Sequence, residues 1–332
     1  MEEQKNLLEI KDLKVSFFTP AGEVKAVDGI SYSLKPDEVM GIVGESGSGK
    51  SVEAYSIIGL LQSPGKVIGG SITFDGEDIL AYSSEQMREF RGDKVSMIFQ
   101  NPMTCLNPVF TIGNQLTEAL LCHHKVSSKA EARERAIEML TKVGINNAEK
   151  RVDQYPHELS GGMRQRVMIA MALICSPKLL IADEPTTALD VTIQAQILEL
   201  MKELQAKEHT SIIFITHNLG VVAEICDRVS VMYAGHIVEQ GTVQEIFYNP
   251  QHPYTKGLLT SIPRLDEDSP ERLIPIEGTP IDLLNPPAGC NFGPRCKDCM
   301  KVCLTKKPPY ADLGGGHISA CWLHYKKNGE EA

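Results

Sequence analysis

Short, mostly apolar runs separated by helical patterns recur along the chain. They lie at Val39–Val43, Val95–Phe99, Leu179–Ala182 and Ile212–Ile215. Runs of this kind are typical of strands in a parallel sheet with crossover helices. Glycine or polar residues follow each run directly. Because open α/β sheets bind their ligands at the carboxyl ends of the strands, the pattern predicts a ligand site at one edge of a parallel sheet.

Two stretches depart from this alternation. Between about Asn101 and Met171 the strand pattern is absent, and Ala130–Val143 repeats apolar residues at helical spacing, with Gly144 after it. This predicts an inserted helical subdomain over residues 101–171. From Asn249 the sequence becomes rich in proline and glycine, which predicts a loop-rich extension. The chain is therefore expected to divide into a core domain, residues 1–248, and an extension, residues 249–332.

Composition and charge narrow the class of protein. The chain has 332 residues, of which 42% are hydrophobic, enough for an α/β core with an appended segment. No window approaches the ~18 consecutive apolar residues of a membrane helix, and the N-terminus lacks a signal-peptide core. We therefore expect a protein that is neither secreted nor membrane-spanning. The formal net charge of −10 argues against nucleic acid as a partner.

The most specific motif is a glycine-rich segment after the first apolar run. Residues 44–51 match the pattern G-x-x-x-x-G-K-[ST] at every fixed position. In such a loop, backbone N–H groups surround phosphate oxygens, Lys50 supplies a positive charge for the β- and γ-phosphates, and Ser51 ligates Mg²⁺. The apolar residues Tyr55–Leu61 predict the helix that follows. The predicted nucleotide-binding residues are Gly44, Glu45, Ser46, Gly47, Ser48, Gly49, Lys50, Ser51 and Val52.

Two adjacent carboxylates end the third apolar run. If the strand continues through Asp183 and Glu184, their side chains point to opposite faces and can take different tasks. Asp183 would then hold Mg²⁺ through water, and Glu184 would orient or deprotonate the water that attacks the γ-phosphate. By itself an Asp-Glu pair after a strand is more often a turn or a helix cap. The interpretation therefore depends on the phosphate loop upstream.

A further segment separates the classes of P-loop enzyme. Residues 159–166, Leu-Ser-Gly-Gly-Met-Arg-Gln-Arg, resemble the signature motif of ABC ATPases. Gln100, Ala188-Leu189-Asp190 and Thr216-His217 resemble the Q-loop, D-loop and H-loop of that family. The resemblance implies an α/β fold: a P-loop NTPase core with a parallel central sheet, an N-terminal antiparallel β part, the inserted helical subdomain and the loop-rich C-terminal extension with its cysteine cluster.

The resemblance also implies a dimer. In this family two subunits enclose two ATP molecules, each between the phosphate loop of one subunit and the signature of the other. Ser160, Gly161 and Gly162 would then complete the site of a partner subunit. Met163 stands where the family usually has glutamine, which puts a side-chain role at that position in doubt.

The same resemblance assigns roles to single residues near ATP. His217 would contact the γ-phosphate and support Glu184, and Gln100 would sense Mg²⁺ and water. Phe17 would stack on adenine, with neighbouring Phe18 as the alternative. The implied Mg²⁺ ligands are Ser51, Gln100 and Asp183.

The start of the extension narrows the family. Asn249–Leu259 resembles the tail motif of the ATPases of oligopeptide and dipeptide importers, a branch that includes nickel importers. His252 and Tyr254 in this segment are interpreted as packing residues that dock the extension. Because substrate choice in such importers belongs to other subunits, the substrate class follows from the resemblance alone.

The resemblance implies an ATP-hydrolysing subunit on the cytoplasmic face of the cell membrane that drives the uptake of di- or oligopeptides. Its implied partners are a second ABC ATPase subunit, two permease subunits and, indirectly, an extracytoplasmic peptide-binding protein. A nickel importer and a soluble ABC ATPase without membrane partners are the alternatives. Coiled-coil insertions or tandem ATPase halves would favour the soluble class, and the sequence has neither.

Five of the nine cysteines crowd into the extension, with the spacing C-x5-C-x2-C-x3-C-x17-C. In a chain that is not secreted, such a cluster predicts metal binding rather than disulfides. Four thiolates suit either Zn²⁺ or an iron–sulfur cluster, acting as a structural cross-link or a redox sensor. Some similar peptide-importer ATPases carry a [4Fe–4S] cluster, which implies Cys290, Cys296, Cys303 and Cys321 as its ligands here. Cys299 would then be spare, although a zinc site could include it.

Overall fold

The computed structural model describes residues 5–100, 105–186, 190–261 and 275–325. The chain forms two compact units. Within the described residues, the first unit comprises Lys35–Glu38 and Ala81–Ile215. The second comprises Lys5–Leu34, Val39–Leu80 and residues 216–325. The phosphate loop belongs to the second unit, and the signature segment and the Asp183-Glu184 pair belong to the first.

The strands and helices are numbered here in chain order. The strands are β1 (Leu8–Thr19), β2 (Gly22–Leu34), β3 (Val39–Val43), β4 (Gly65–Phe74), β5 (Glu77–Asp78), β6 (Val95–Ile98), β7 (Leu179–Asp183), β8 (Ser211–Thr216), β9 (Arg228–Tyr233), β10 (His236–Thr242), β11 (Ala311–Asp312) and β12 (Ile318–Ser319). The helices are α1 (Lys50–Ile57), α2 (Ser84–Asp93), α3 (Ile112–Cys122), α4 (Lys129–Lys142), α5 (Ala148–Arg151), α6 (Gly161–Leu173), α7 (Val191–Glu208), α8 (Leu219–Ile225), α9 (Val243–Tyr248), α10 (Pro253–Thr260) and α11 (Lys301–Thr305). Within the described ranges, every helix is too short or too polar to span a membrane.

Three parallel strands form the sheet of the first unit, in the order β8-β7-β6. Val95 of β6 lies opposite Leu179 of β7, and Leu179 lies opposite Ser211 of β8. All residues of β7 and β8 are buried, which explains why their sequences are nearly continuous apolar runs. The structure confirms these three predicted strands and extends β7 to Asp183 and β8 to Thr216.

Within the first unit, α3, α4 and α5 lie in the stretch where the strand pattern is absent from the sequence, and α6 begins there. In α4, the Ser128 hydroxyl caps the N-terminus by accepting a hydrogen bond from the backbone N–H of Glu131 at 3.2 Å. Gly144, just after its end, has φ of 76°, a conformation that glycine adopts without strain. This confirms the helix predicted over Ala130–Val143. The face of α4 that packs into the unit consists of Ala132, Ala136, Met139 and Leu140.

The second unit contains an antiparallel sheet in the order β2-β1-β4-β5, with Leu8 of β1 opposite Leu34 of β2 and Phe74 of β4. It confirms the expected N-terminal antiparallel part. Five further strands of this unit lie in the order β11-β12-β10-β9-β3. Among them β3 and β9 are parallel, and the other neighbours are antiparallel. Strand β3 has the predicted bounds.

The helix after the phosphate loop differs from its prediction. It was expected over Tyr55–Leu61, but α1 begins at Lys50 and ends at Ile57. It starts directly after Gly49, and its buried face includes the polar residues Lys50 and Glu53. The apolar run therefore marked only the end of the helix and the loop beyond it, because an apolar pattern does not count buried polar side chains.

An aromatic cluster attaches the extension to the rest of the second unit. Tyr233 of β9, Tyr254 of α10 and Phe292 are buried, with ring centroids 4.7, 5.3 and 5.3 Å apart. His252 is also buried, and its Nδ1 accepts a hydrogen bond from the backbone N–H of Tyr254 at 3.1 Å. Full burial of one such apolar or aromatic side chain contributes about 1.5–3 kcal/mol. The structure confirms that His252 and Tyr254 pack to dock the extension.

A buried carboxylate provides a second attachment. Glu239 of β10 is fully buried and accepts hydrogen bonds from the backbone N–H groups of Gln251, at 2.7 Å, and His252, at 2.9 Å. His317 Nε2 lies 2.8 Å from the same carboxylate. Gln251 and His252 precede α10, whereas His317 precedes β12. One side chain thus ties two parts of the extension to β10.

Candidate active site

The phosphate loop links β3 to α1 and depends on three glycines with positive φ. Gly44, Gly47 and Gly49 have φ of 156°, 76° and 103°. A Cβ on Gly44 would lie 2.1 Å from the carbonyl oxygen of Met232, and one on Gly49 would lie 2.4 Å from that of Ala26. A Cβ on Gly47 would meet nothing within 4 Å. The loop therefore packs tightly at both ends and is open at its middle.

Lys50 is buried, and its ammonium lies within the loop. It donates hydrogen bonds to the carbonyl oxygens of Gly44 and Glu45, both at 2.8 Å, and to Ser48 Oγ at 3.3 Å. A lysine in this place is a point charge for phosphate oxygens, and the loop at the N-terminus of α1 offers backbone N–H groups to the same anion. The residues present thus fit a nucleotide phosphate. The other predicted loop residues are exposed or half-buried: Ser46, Ser51 and Val52.

Glu45, the second residue of the loop, is held by the extension. Its backbone N–H donates a hydrogen bond to Tyr254 Oη at 3.0 Å. Its carboxylate accepts two hydrogen bonds from Arg295, at 2.6 and 3.0 Å. Burial raises the pKa of Tyr254 above its ordinary value, and the hydrogen bond to Glu45 is the main cause that raises the pKa of Arg295. The hydroxyl and the guanidinium therefore both stay protonated.

The catalytic candidates of the first unit follow β7. Asp183 ends the strand and is buried. Glu184 has φ of 47°, and its backbone N–H donates a hydrogen bond to the Ile215 carbonyl at 2.8 Å. Gln100 Nε2 donates a hydrogen bond to Glu184 Oε2 at 2.8 Å, so the structure brings these two predicted residues together. The strand does not continue through Glu184, and the left-handed backbone, not strand alternation, sets the direction of its side chain.

The three signature residues Ser160, Gly161 and Gly162 form the start of α6. Ser160 is the N-cap, and its Oγ accepts a hydrogen bond from the backbone N–H of Met163 at 3.3 Å. The first N–H groups of a helix have no partner within it and carry partial positive charge, which suits an anion. Gly161 is exposed, and a Cβ there would meet nothing within 4 Å. Because Met163 serves the cap through its backbone, its departure from the usual glutamine leaves the cap intact.

A buried glutamine joins the signature helix to the residues after Glu184. The side-chain amide of Gln165, in α6, donates a hydrogen bond to the carbonyl oxygen of Pro185. The next residue, Arg166, donates a hydrogen bond to the Val143 carbonyl at 2.7 Å, at the end of α4. Hydrogen bonds therefore connect the signature helix both to the segment that follows Glu184 and to the end of α4. The signal in the sequence is a polar residue on the buried face of a largely apolar helix.

Three predicted residues lie on the second unit outside the loop. His217 follows β8 directly and is exposed. Phe17 of β1 is half-buried and packs on β4, where a Cβ on Gly65 would lie 2.8 Å from its ring. Phe18 is 48% exposed. Both phenylalanines therefore have surface that a ligand can contact.

Only the end of the predicted D-loop lies in the described residues. Asp190 is the N-cap of α7, and its Oδ1 accepts a hydrogen bond from the backbone N–H of Ile193 at 2.9 Å. Ala188 and Leu189 lie outside the described residues, so their place in the loop stays a prediction.

The extension gathers the predicted cysteine ligands. The backbone N–H of Cys290 donates a hydrogen bond to the Cys303 carbonyl at 2.7 Å. Burial is the main cause that raises the pKa of Cys290 to about 11 and that of Cys296 to about 12. The charge of Asp298 also raises the pKa of Cys296, and an electrostatic interaction with Cys321 contributes to both. Cys299 is exposed and interacts with Cys303. Cys290, Cys296, Cys299, Cys303 and Cys321 form no disulfide.

Four soft sulfur donors in one short segment fit the chemistry of Zn²⁺ or an iron–sulfur cluster. Among the residues that the structure describes, however, no group of three or more Cys, His, Asp or Glu side chains is arranged to hold a metal ion. The predicted metal centre therefore depends on the chemistry and proximity of the thiols, not on ligand geometry.

The contacts of Glu45 with Tyr254 and Arg295 are the main features that the sequence did not predict. Glu45 and Arg295 are separated by 250 positions in the chain. No local pattern links two residues so far apart. The only signal for Arg295 is an arginine within the cysteine segment, which by itself is typical of an exposed side chain.

Two family models match the chain. The model for "ABC transporter" matches residues 27–187, and that for "Oligopeptide/dipeptide transporter, C-terminal region" matches residues 238–303. The chain is 57% identical to the oligopeptide transport ATP-binding protein OppD of Bacillus subtilis (strain 168), over 96% of this chain and 88% of that protein. It is 56% identical to the dipeptide transport ATP-binding protein DppD of the same organism, over 96% and 94%. For OppD of Escherichia coli (strain K12) the identity is 53%, over 95% and 93%.

Solved structures of ABC cassettes share the fold. The dimeric cassette MJ0796, in a post-hydrolysis state bound to ADP and Pi, has a TM-score of 0.64 at 26% identity, covering 71% of this chain and 98% of that chain. CbiO1 from Clostridium perfringens, part of the ABC transporter complex cbiONQ, has a TM-score of 0.63 at 30% identity, covering 74% and 91%. Together with identities above half over nearly the whole chain, these matches confirm the resemblance found in the motifs. The chain belongs to the ABC transporter family, as an ATP-binding subunit of its oligopeptide/dipeptide branch.

Proposed function

We propose that this chain is the ATP-hydrolysing subunit of a membrane importer and couples ATP binding and hydrolysis at a dimer interface to the uptake of di- or oligopeptides. The phosphate loop carries the proposal, with its three positive-φ glycines between β3 and α1 and the Lys50 ammonium inside it. The relatives named for oligopeptide and dipeptide transport support the substrate class.

The proposed ATP site is built on this loop. Backbone N–H groups of residues 44–52 surround the phosphates, and Lys50 exchanges its contacts with the Gly44 and Glu45 carbonyls for phosphate oxygens. Phe17 stacks on the adenine ring. When bound, Mg²⁺ neutralises charge on the β- and γ-phosphates, with Ser51, Gln100 and Asp183 as its proposed ligands, directly or through water.

Glu184 is the proposed general base. It accepts a proton from water as the water oxygen forms a bond to the γ-phosphorus. The bond from that phosphorus to the bridging oxygen breaks, and ADP and phosphate are the products. The hydrogen bond from Gln100 Nε2 holds the Glu184 carboxylate in place before the reaction. His217 contacts the γ-phosphate and maintains this arrangement.

Two subunits complete each site. Ser160, Gly161 and Gly162 present the N-terminus of α6 to the nucleotide held by a second subunit, which is identical or related to this chain. The similar cassette MJ0796 is dimeric in its post-hydrolysis state, which supports this arrangement. ATP binding closes the pair, and hydrolysis allows it to open.

The proposed assembly places the chain on the cytoplasmic face of the cell membrane, as a peripheral subunit. Its partners are a second ABC ATPase subunit, two transmembrane permease subunits and, indirectly, an extracytoplasmic peptide-binding protein. The names of the relatives favour this assembly over a nickel importer or a soluble ABC ATPase. Within the chain, we propose an ATPase domain over residues 1–248, which includes the signature subdomain 101–171, and an extension over 249–332.

We further propose that Cys290, Cys296, Cys303 and Cys321 hold a [4Fe–4S] cluster, with Zn²⁺ as the alternative metal. The support is their spacing, their free thiols and the electrostatic interaction among them. A metal bound there would cross-link a segment made of single turns and two-residue strands.

Co-purification from the native membrane tests the proposed function. We expect the wild-type chain to be recovered with two permease subunits, and vesicles that contain the complex should take up a labelled oligopeptide only when ATP is supplied. Glu184→Gln is the matched control, because it preserves ATP binding and assembly but removes the base. Recovery without permeases, or uptake of nickel in place of peptide, would contradict the proposal.

A further inference from the structure

Arg295 lies within the cysteine segment of the extension, and its side chain is almost fully buried. It ends the 3₁₀ turn Gly293–Arg295, one residue before Cys296, and its side chain is 4% exposed. The guanidinium carbon lies 5.8 Å from the centre of the Tyr233 ring. A buried guanidinium is unfavourable unless its N–H groups are paired.

Hydrogen bonds pair this guanidinium with two different parts of the second unit. Nη1 and Nη2 donate to the two carboxylate oxygens of Glu45, at 2.6 and 3.0 Å. Nε donates to the Glu277 carbonyl at 3.0 Å, and Nη2 also donates to the Ile276 carbonyl at 3.3 Å. Arg295 thus connects the backbone of the extension to a carboxylate of the phosphate loop. The two-pronged contact requires an arginine, since lysine has no planar fork.

The backbone of Glu45 is fixed as well. Its N–H donates to Tyr254 Oη at 3.0 Å, and its carbonyl accepts from the Lys50 ammonium at 2.8 Å. The extension supplies two of these attachments, through Tyr254 and Arg295. Both attachments act on Glu45, two residues before the open middle of the loop, where a Cβ on Gly47 would meet nothing within 4 Å.

We propose that Arg295 is a positioning residue for nucleotide binding: through Glu45 it keeps the phosphate loop in the conformation that binds phosphate. The proposal rests on the proposed ATP site. Without Arg295 the loop adopts other conformations, and the apparent Kd for ATP rises in inverse proportion to the fraction of molecules whose loop can bind. A contact that only docks the extension would change the free energy of unfolding but not the affinity for ATP.

Steady-state hydrolysis and titration with a fluorescent ATP analogue, both on the assembled complex, test the proposal. We expect Arg295→Met to raise the Kd and the KM for ATP about tenfold, as for a binding-competent fraction of about one tenth. The kcat should change by less than about twofold, because the loop is ordered once ATP is bound. Arg295→Lys, which keeps the charge and loses the fork, should give a smaller rise.

Arg133→Met is the matched control. Arg133 forms an equally close two-pronged pair with Asp153, at 2.7 Å for both contacts, but the pair is exposed and lies in the first unit. This variant should have the wild-type KM. A second route to the loop is Glu45→Gln, which keeps the shape of the side chain and should also raise KM. The double variant Arg295→Met/Glu45→Gln should have a KM no higher than that of the more impaired single variant, because both substitutions remove the same contact.

The outcomes separate this proposal from the proposed ATP site. An unchanged Kd and KM in Arg295→Met and Glu45→Gln, or fully additive effects in the double variant, would overturn the role of Arg295. If Lys50→Ala abolishes ATP binding while the Arg295 variants bind normally, the ATP site stands and the positioning role fails. If Lys50→Ala binds ATP as the wild type does, the proposed ATP site itself fails.

Discussion

Replacing Glu239 by alanine tests how the extension is held on the rest of the second unit. The buried carboxylate accepts hydrogen bonds from the backbone N–H groups of Gln251 and His252 and lies 2.8 Å from His317 Nε2. In Glu239→Ala these buried groups lose their partner. Each such loss costs about 1–3 kcal/mol, and local relaxation reduces the sum. We therefore expect a decrease of about 3–5 kcal/mol in the free energy of unfolding.

Urea denaturation is a suitable assay, because the single tryptophan of the chain lies in the extension. Trp322 donates a hydrogen bond from Nε1 to the Lys306 carbonyl at 3.0 Å, so its fluorescence reports on the extension, while circular dichroism reports on the whole chain. With a slope of about 2 kcal/mol per molar urea, the fluorescence midpoint of Glu239→Ala should fall by about 1.5–2.5 M.

Asp153→Ala is the control for the Glu239 experiment. Asp153 pairs with Arg133 at the surface, where an ion pair contributes about 0–1 kcal/mol, so its midpoint should stay close to that of the wild type. If Glu239→Ala shifts the fluorescence midpoint no more than Asp153→Ala does, the buried carboxylate is not an anchor of the extension.

Four further predictions concern the proposed sites. Glu184→Gln should bind ATP normally and lower kcat by about 10²–10⁴-fold, because an amide cannot accept the proton of water; hydrolysis at the wild-type rate would exclude Glu184 as the base. Gly161→Asp places a carboxylate at the exposed start of α6, where a Cβ meets nothing within 4 Å, so folding should be preserved. The added charge should repel the nucleotide of the second subunit and abolish hydrolysis. Normal hydrolysis would count against the shared site. Burial lowers the pKa of His252 to about 3, below the 6.5 of an ordinary histidine. Below pH 6.5 the unfolded chain therefore binds a proton that the folded chain does not, and the free energy of unfolding should fall by about 1.4 kcal/mol per pH unit down to about pH 3. His252→Asn should reduce this dependence in urea denaturation at pH 7 and pH 5, and an identical dependence would contradict the assignment. The wild-type chain purified without oxygen should contain about four iron and four sulfide ions per chain, or about one zinc ion. Cys290→Ser should lose this metal, and the control Cys122→Ser, at an exposed cysteine, should retain it. A metal-free wild-type chain would rule out the centre.

The strands differ in how well their sequences predict them. Strands β3, β7 and β8 are almost wholly apolar because both faces are buried, so short apolar runs identify them. Strands β9 and β10 contain buried polar residues, Ser230, Glu239 and Gln240, which interrupt the apolar pattern. The partners of Glu239 lie in the extension, so its burial depends on tertiary contacts that a local pattern does not contain.

The candidate site was predictable where fixed chemistry determines the residue types. The phosphate loop requires glycine, lysine and serine at set positions, and the pairing of Gln100 with Glu184 agrees with roles implied by the family. The backbone at Glu184 was not predictable, since φ of 47° depends on how the chain leaves the sheet. The contact between Arg295 and Glu45 was not predictable either, because only the folded extension brings them together.

The hydrogen bond from Gln165 to Pro185 connects the signature helix α6 to the segment that follows Glu184. In the proposed dimer the N-terminus of α6 faces the nucleotide of the second subunit, and the same helix is hydrogen-bonded to the carbonyl of Pro185, next to the proposed general base Glu184. If that dimer forms, a tilt of α6 when the second subunit loses its phosphate would displace the segment that carries Glu184. In this arrangement the buried side-chain amide of Gln165 would couple the two nucleotide sites of the proposed dimer.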